Sequence, residues 1–240
     1  MKTIKFIAFF ILFFFLLSQT MTFAQESVLR VTGTSGTVLI KIYPSTEWKD
    51  ATAGQELNQR DELKTGLDSK VALEFPDRSG ITLKSNSEIS IEELVWDNMA
   101  HKVGINMNSG ELRTIIKKVN TPSEFKVKTP TAICGARGTI FYLRVLAYIT
   151  SLFAGEGYVD FINTISNKSY TVVEGMMSIS NIDGTISEPV RLSDPEIEGW
   201  LSGWEVGAVA EPYEPPVAGE EARTETIAPE VTPERTASDT

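Results

Sequence analysis

The chain has 240 residues, a formal net charge of −10, one Cys and one His. One Cys makes no internal disulfide, one Cys with one His builds no Cys/His zinc site, and an acid surplus opposes the phosphate contacts that nucleic-acid binding needs. No heptad run, collagen period or polytopic membrane pattern is present, which leaves a globular chain with appended segments.

Residues 1–24 open on Lys2 and Lys5, run unbroken through apolar Phe6 to Leu17, and place Thr22 and Ala24 at small-residue positions before Gln25. This is the layout of a secretory signal peptide. A helix over the apolar run rises only about 18 Å against a hydrocarbon core of roughly 30 Å. Cleavage is therefore expected, leaving no stable membrane span; the alternative is an inner-membrane anchor that stays uncleaved. Cleavage removes two lysines and no acid, taking the net charge to −12. The mature chain is expected in the periplasm or otherwise exported. There Cys134, inside the apolar stretch TAICG, reads as a small buried hydrophobe rather than a nucleophile.

Residues 25–192 carry period-two alternation. Val71, Leu73 and Phe75 alternate with Lys70, Ala72 and Glu74, and the same rhythm recurs at Ile89–Ile91, Val103–Met107, Phe125–Val127, Phe141–Val145 and Val159–Phe161. Alternation means one buried and one wet face, and turn residues at roughly ten-residue spacing mean many short strands. The fold class is all-β, either a sandwich or a β-roll of solenoid type. A weak echo of strand, Gly-containing turn and strand joins ALEFPDRSGITL, GEGYVDF and VVEGMMSIS; stacked repeats and ordinary antiparallel hairpins both produce it.

Residues 193–204 read as a short amphipathic helix. Ser193, Asp194 and Pro195 give a start signal, and Ile197, Trp200, Leu201 and Trp204 fall at i, i+3, i+4 and i+7. Such a stripe either caps the end of the β core or docks a partner, for which Trp200 and Trp204 are the candidate contacts. Residues 205–240 hold five of the eleven prolines, nine acids and two arginines. So polar a segment cannot offset its ordering entropy, and a disordered tail is expected.

Catalytic signatures are missing. There is no GxxxxGK[ST], GxSxG, HExxH or CxxC. Ser123 to Lys126 matches SxxK only formally, because it falls on an expected strand. The carboxylate pairs Asp61/Glu62 and Glu92/Glu93 point to opposite faces of a strand and cannot share one bond. No catalytic residue, cofactor site or metal site is expected, and the chain is read as a non-enzyme. Carboxylates brought together from distant positions keep one alternative alive, an enzyme acting on envelope polysaccharide.

Several stretches in order carry a resemblance. Trp48-Lys-Asp-Ala, Gly54, Leu57, Asp61, Leu63, Thr65 and Gly66 are similar to the pattern W-x-x-A, G-x-x-L, G-D-x-I/L-x-T-G, with Arg60 in place of the Gly before Asp61. Ser69, Ala72, Leu73, Phe75, Asp77, Gly80, Ile81 and Leu83 resemble S-x-A-x-L-x-F-x-D-G-S-x-I-x-L, with DRSG read as carrying an extra residue. Gly110-Glu-Leu-Arg113 follows. Phe125 to Ala132 and then Gly135, Arg137, Gly138, Thr139 and Phe141 resemble F-x-V-x-T-P-x-A…V-R-G-T-x-F. Together these resemble the FecR domain family of bacterial envelope proteins over residues 30–190.

The resemblance implies an all-β, non-enzymatic extracytoplasmic module whose partner is an envelope protein or glycan, with a link to signalling. In the namesake regulators the domain contacts the signalling domain of a TonB-dependent transporter and follows a cytoplasmic anti-sigma segment. Only five residues precede the apolar run here, so a direct anti-sigma role is not expected. The motif residues Asp61, Asp77, Gly80, Gly135, Arg137, Gly138 and Thr139 are expected to be structural. Arg137 either makes a fork-like pair with a carboxylate such as Asp61 or Asp77 or stands solvated on its turn.

Overall fold

A computed structural model describes residues 29–96, 100–119 and 123–206. The expected leader and the acidic tail past Val206 lie outside them. The strands are β1 (Leu29–Ser35), β2 (Val38–Lys41), β3 (Lys49–Asp50), β4 (Glu56–Leu57), β5 (Glu62–Thr65), β6 (Lys70–Glu74), β7 (Gly80–Leu83), β8 (Glu88–Trp96) and β9 (His101–Ile115). They continue as β10 (Ser123–Lys128), β11 (Ala132–Ala136), β12 (Ile140–Leu146), β13 (Ile149–Glu156), β14 (Tyr158–Asn163), β15 (Ser169–Val173), β16 (Met176–Asn181) and β17 (Val190–Arg191). One helix, α1 (Asp194–Leu201), follows. The all-β expectation holds.

The strands form one connected set made of two ladders. Sheet I runs β4-β1-β6-β7-β9-β12-β13-β16-β17. Sheet II runs β3-β2-β5-β8-β9-β10-β11-β14-β15. β9 belongs to both: His101–Ser109 pairs with β8 in sheet II, and Gly110–Ile115 pairs with β7 and β12 in sheet I. Among the described residues only β9 and β10 run parallel. The inward faces of both sheets meet in one apolar cluster, which takes in Leu73, Phe75, Ile89, Ile105, Phe141, Leu143 and Phe161. These are the residues that the period-two reading placed inside. Each large side chain so buried contributes about 1.5–3 kcal/mol.

Gly110 is where β9 changes sheets. Its φ is +97°, and a Cβ there would sit 2.4 Å from Ser87 Cα. Only a residue with no side chain fits that bend. The Ser87 hydroxyl occupies the space instead, donating to the carbonyls of Lys84 and Glu111 and accepting the Glu111 N–H.

The three echoed segments divide into two kinds. ALEFPDRSGITL is the β6–β7 hairpin within sheet I. In GEGYVDF and VVEGMMSIS the chain crosses between sheets, from β13 to β14 and from β15 to β16. A shared turn chemistry made two different topologies look alike.

DRSG carries no extra residue, which corrects the sequence reading. Arg78 has φ +68° and closes the β6–β7 turn, its N–H donating to Phe75 O. It therefore stands where the resembled pattern has Gly. Arg60, at φ +77°, does the same before Asp61. At both turns the chain accepts the left-handed cost that Gly would avoid.

Candidate interaction site

The two ends of the paired sheets, named here for Gly138 and Gly110, carry different residues. At the Gly138 end the motif side chains lock turns. Asp61 is 1% exposed and accepts the N–H of Tyr43 at 2.8 Å and of Asn58 at 2.7 Å. Asp77 accepts the Ser79 N–H and hydroxyl, and Ser79 Oγ accepts the Lys117 N–H. Gly80 opens β7 opposite Glu74 and Ile115. The buried Thr139 hydroxyl is shared between the carbonyls of Arg137 and Tyr158, pinning one sheet crossing to another. Gly138 lies beside it, and Gly135 pairs with Lys126 and Asp160 within sheet II.

The fork at Arg137 is absent. Arg137 is exposed, and none of the ion pairs among the described residues involves it. Both carboxylates are instead oriented by nearer donors, Asp61 by the N–H groups of Tyr43 and Asn58 and Asp77 by Ser79.

Trp200 and Trp204 are 6% and 1% exposed. They pack with Tyr142, Phe153 and Leu192 on the outer face of sheet I, in a cluster apart from the main core. Trp204 Nε1 donates to Trp200 O at 2.6 Å. Lys84 Nζ sits 4.1 Å over the Trp204 ring and donates to Ser202 O, while Arg144 lies 4.6 Å over Trp200. Burial lowers the Lys84 pKa, against the opposing pull of Glu111. At the helix start the Glu196 carboxylate accepts from the Ser193 N–H and hydroxyl, which lowers its own pKa. Both indoles are thus occupied within the chain, holding α1 to sheet I.

At the Gly110 end, large apolar side chains face out. Leu146 is 61% exposed, Tyr148 67%, and Ile149 and Ile182 44% each. Ile182 N–H donates to Tyr148 O at 3.0 Å, so the β12–β13 turn and the loop after β16 form one surface. Exposed Ile165 borders it across Gly184. Beneath lies a buried polar knot joining the sheets: Thr150 bonds Thr129 and Thr131, and Ser180 bonds Thr131 and Asn163. The two-residue turn between Leu146 and Ile149 puts Ala147 at φ +49°. That position of a hairpin turn favours Gly.

Sequence reasoning did not single out this patch. Its signal is the break in alternation after Val145, where Leu146, Tyr148 and Ile149 crowd large apolar groups into a turn.

A cleft of about 400 Å³ opens beside α1, lined by Phe153, Gly155, Glu174, Gly175, Arg191 and Ile197 among others. It holds one carboxylate where glycoside hydrolysis uses two. Cys134 is fully buried and burial pushes its thiol pKa up, as the sequence suggested for a packing residue. Among the described residues no group of three or more His, Cys, Asp or Glu is placed to hold a metal ion.

The FecR protein family model matches residues 61–160. The match takes in Asp61, Asp77, Gly80 and the Gly135–Thr139 segment, and is narrower than the resemblance read over 30–190. No curated protein matches the chain. Among solved structures, two crystal structures described as a "putative anti-sigma factor" from Parabacteroides distasonis ATCC 8503, at 1.65 Å and 2.50 Å, align at TM-score 0.48 and 15% identity. The alignment covers 59% of this chain and 65% and 64% of theirs, so this chain spans just under two thirds of their length.

Proposed function

We propose that this chain, which carries a FecR domain at residues 61–160, is an exported, non-enzymatic binding module of the bacterial cell envelope with a place in signalling. The family match carries the reading. The geometry supports it, because the family's polar motif residues are spent on turns and leave presentation of a surface as the scaffold's work. The contact proposed is the apolar end formed by Leu146, Tyr148, Ile149 and Ile182, with a protein as partner. Large apolar and aromatic side chains on adjoining loops, fixed by a backbone bond, resemble the anchors that dominate protein interfaces.

The test is crosslinked capture from cell envelopes with the full chain as bait, compared with a Leu146→Ser/Tyr148→Ser variant. An envelope protein should be recovered with the parent chain and lost with the variant. Truncation before α1 is a poor control, since it bares Tyr142 and Phe153. Recovery that the double substitution leaves unchanged would move the contact elsewhere, and recovery of glycan alone would replace the protein partner.

A further inference from the structure

Among the described residues the two sheets have four edges, and three of them end in two-residue strands, β3, β4 and β17, with β4 pairing only Leu29 and Arg30 of β1. Very short edge strands are a device against unwanted pairing. The fourth edge, β15, has five residues, SYTVV, with no charge and no Pro. Among the described residues it pairs with β14 alone.

Which peptide groups of β15 are free follows from the ladder. Lys168 O accepts from Asn163 N–H, and Glu174 N–H donates to Gly157 O. Even-numbered residues therefore turn their peptide groups toward β14, and Ser169, Thr171 and Val173 turn theirs outward. All three are exposed.

We infer that β15 pairs antiparallel with β15 of a second copy of this chain, about a two-fold axis at Thr171. In that register each residue faces one at equal distance beyond Thr171. Thr171 meets Thr171, Ser169 meets Val173, and Lys168 meets Glu174 of the second copy. The last match selects the occupant. Lys168 and Glu174 are both exposed, neither has an ion pair among the described residues, and the symmetric pairing joins them twice. The outward groups supply roughly six interchain hydrogen bonds. The result is an isologous, weak and concentration-dependent dimer. This goes beyond the proposed function and uses a different surface from the Leu146–Tyr148 end.

The test is sedimentation of the purified chain over a concentration series. The parent should associate to a dimer. Thr171→Pro removes the outward N–H and the exposed hydroxyl bond to Asp160 but none of the backbone bonds to β14, and should leave a folded monomer, checked by circular dichroism. Glu174→Lys leaves the backbone untouched and should weaken association about tenfold, two exposed pairs becoming repulsive. Lys168→Glu combined with Glu174→Lys should restore it. A parent chain that stays monomeric throughout would overturn the inference. So would a dimer that ignores both Thr171→Pro and Glu174→Lys, or a monomer whose β15 pairs only with a strand of another protein.

Discussion

At the Gly138 end, polar side chains turn inward: Asp61 holds two N–H groups, Asp77 holds its own turn, and Thr139 ties two sheet crossings. At the Gly110 end, the polar knot lies underneath and Leu146, Tyr148, Ile149 and Ile182 face water. Most residues that make the family recognisable concern where the chain changes direction. Leu146, Tyr148, Ile149 and Ile182 belong to none of those motifs. The two ends should therefore answer substitution in different currencies, one in stability and the other in binding.

The largest effect is expected at Gly110, which serves the fold even though it lies at the presenting end. An added methyl must take φ +97° and meet Ser87 Cα. Left-handed strain and overpacking together should cost about 2–5 kcal/mol. Thermal unfolding of Gly110→Ala checks it. A loss under about 1 kcal/mol would mean that β9 crosses between sheets without needing this bend.

Asp61→Ala comes next. It strands two N–H groups beside a residue only 1% exposed, and should cost about 2–3 kcal/mol. Asp61→Asn keeps one accepting oxygen and should cost about half of that. Equal losses in the two variants would show that the charge, rather than the count of accepted bonds, is what the turn uses. Partner capture should survive in whatever folds.

These residues also show how much of the molecule is legible in its amino-acid sequence. Strand periodicity and the buried set are readable, because alternation directly reports a half-buried sheet. The turn motifs are readable as motifs, but their chemistry is not. Arg137 suggests a fork since Arg and Asp recur at neighbouring motifs, whereas the carboxylates are claimed by N–H groups, which leave no mark in side-chain identity. Arg78 looks like an insertion because only backbone angles show an Arg doing the work of Gly. The Trp stripe is visible, yet whether Trp200 and Trp204 face a partner or sheet I depends on Tyr142, Phe153 and Arg144, which come from distant strands. The apolar end is hidden for the same reason: Tyr148 and Ile182 become one surface only when the hairpin and a later loop meet.

The smallest effect expected is at Ala147, and it sharpens the contrast most. Ala at φ +49° carries about 1–2 kcal/mol of left-handed strain. Gly removes that strain but adds about 0.5–1 kcal/mol of chain entropy to be lost on folding. Ala147→Gly should therefore stabilise the chain by about 0.5–1 kcal/mol, read as a small rise in Tm. Binding should move the other way. A Gly loosens the loop that holds Leu146 and Tyr148, and ordering it on contact costs affinity, so capture should weaken although no contacting side chain has changed. Gain of stability with loss of binding would mean that the strain is kept for presentation. A gain in both would mean that Ala147 is incidental, and that the outward apolar groups owe their placement to the Tyr148–Ile182 backbone bond alone.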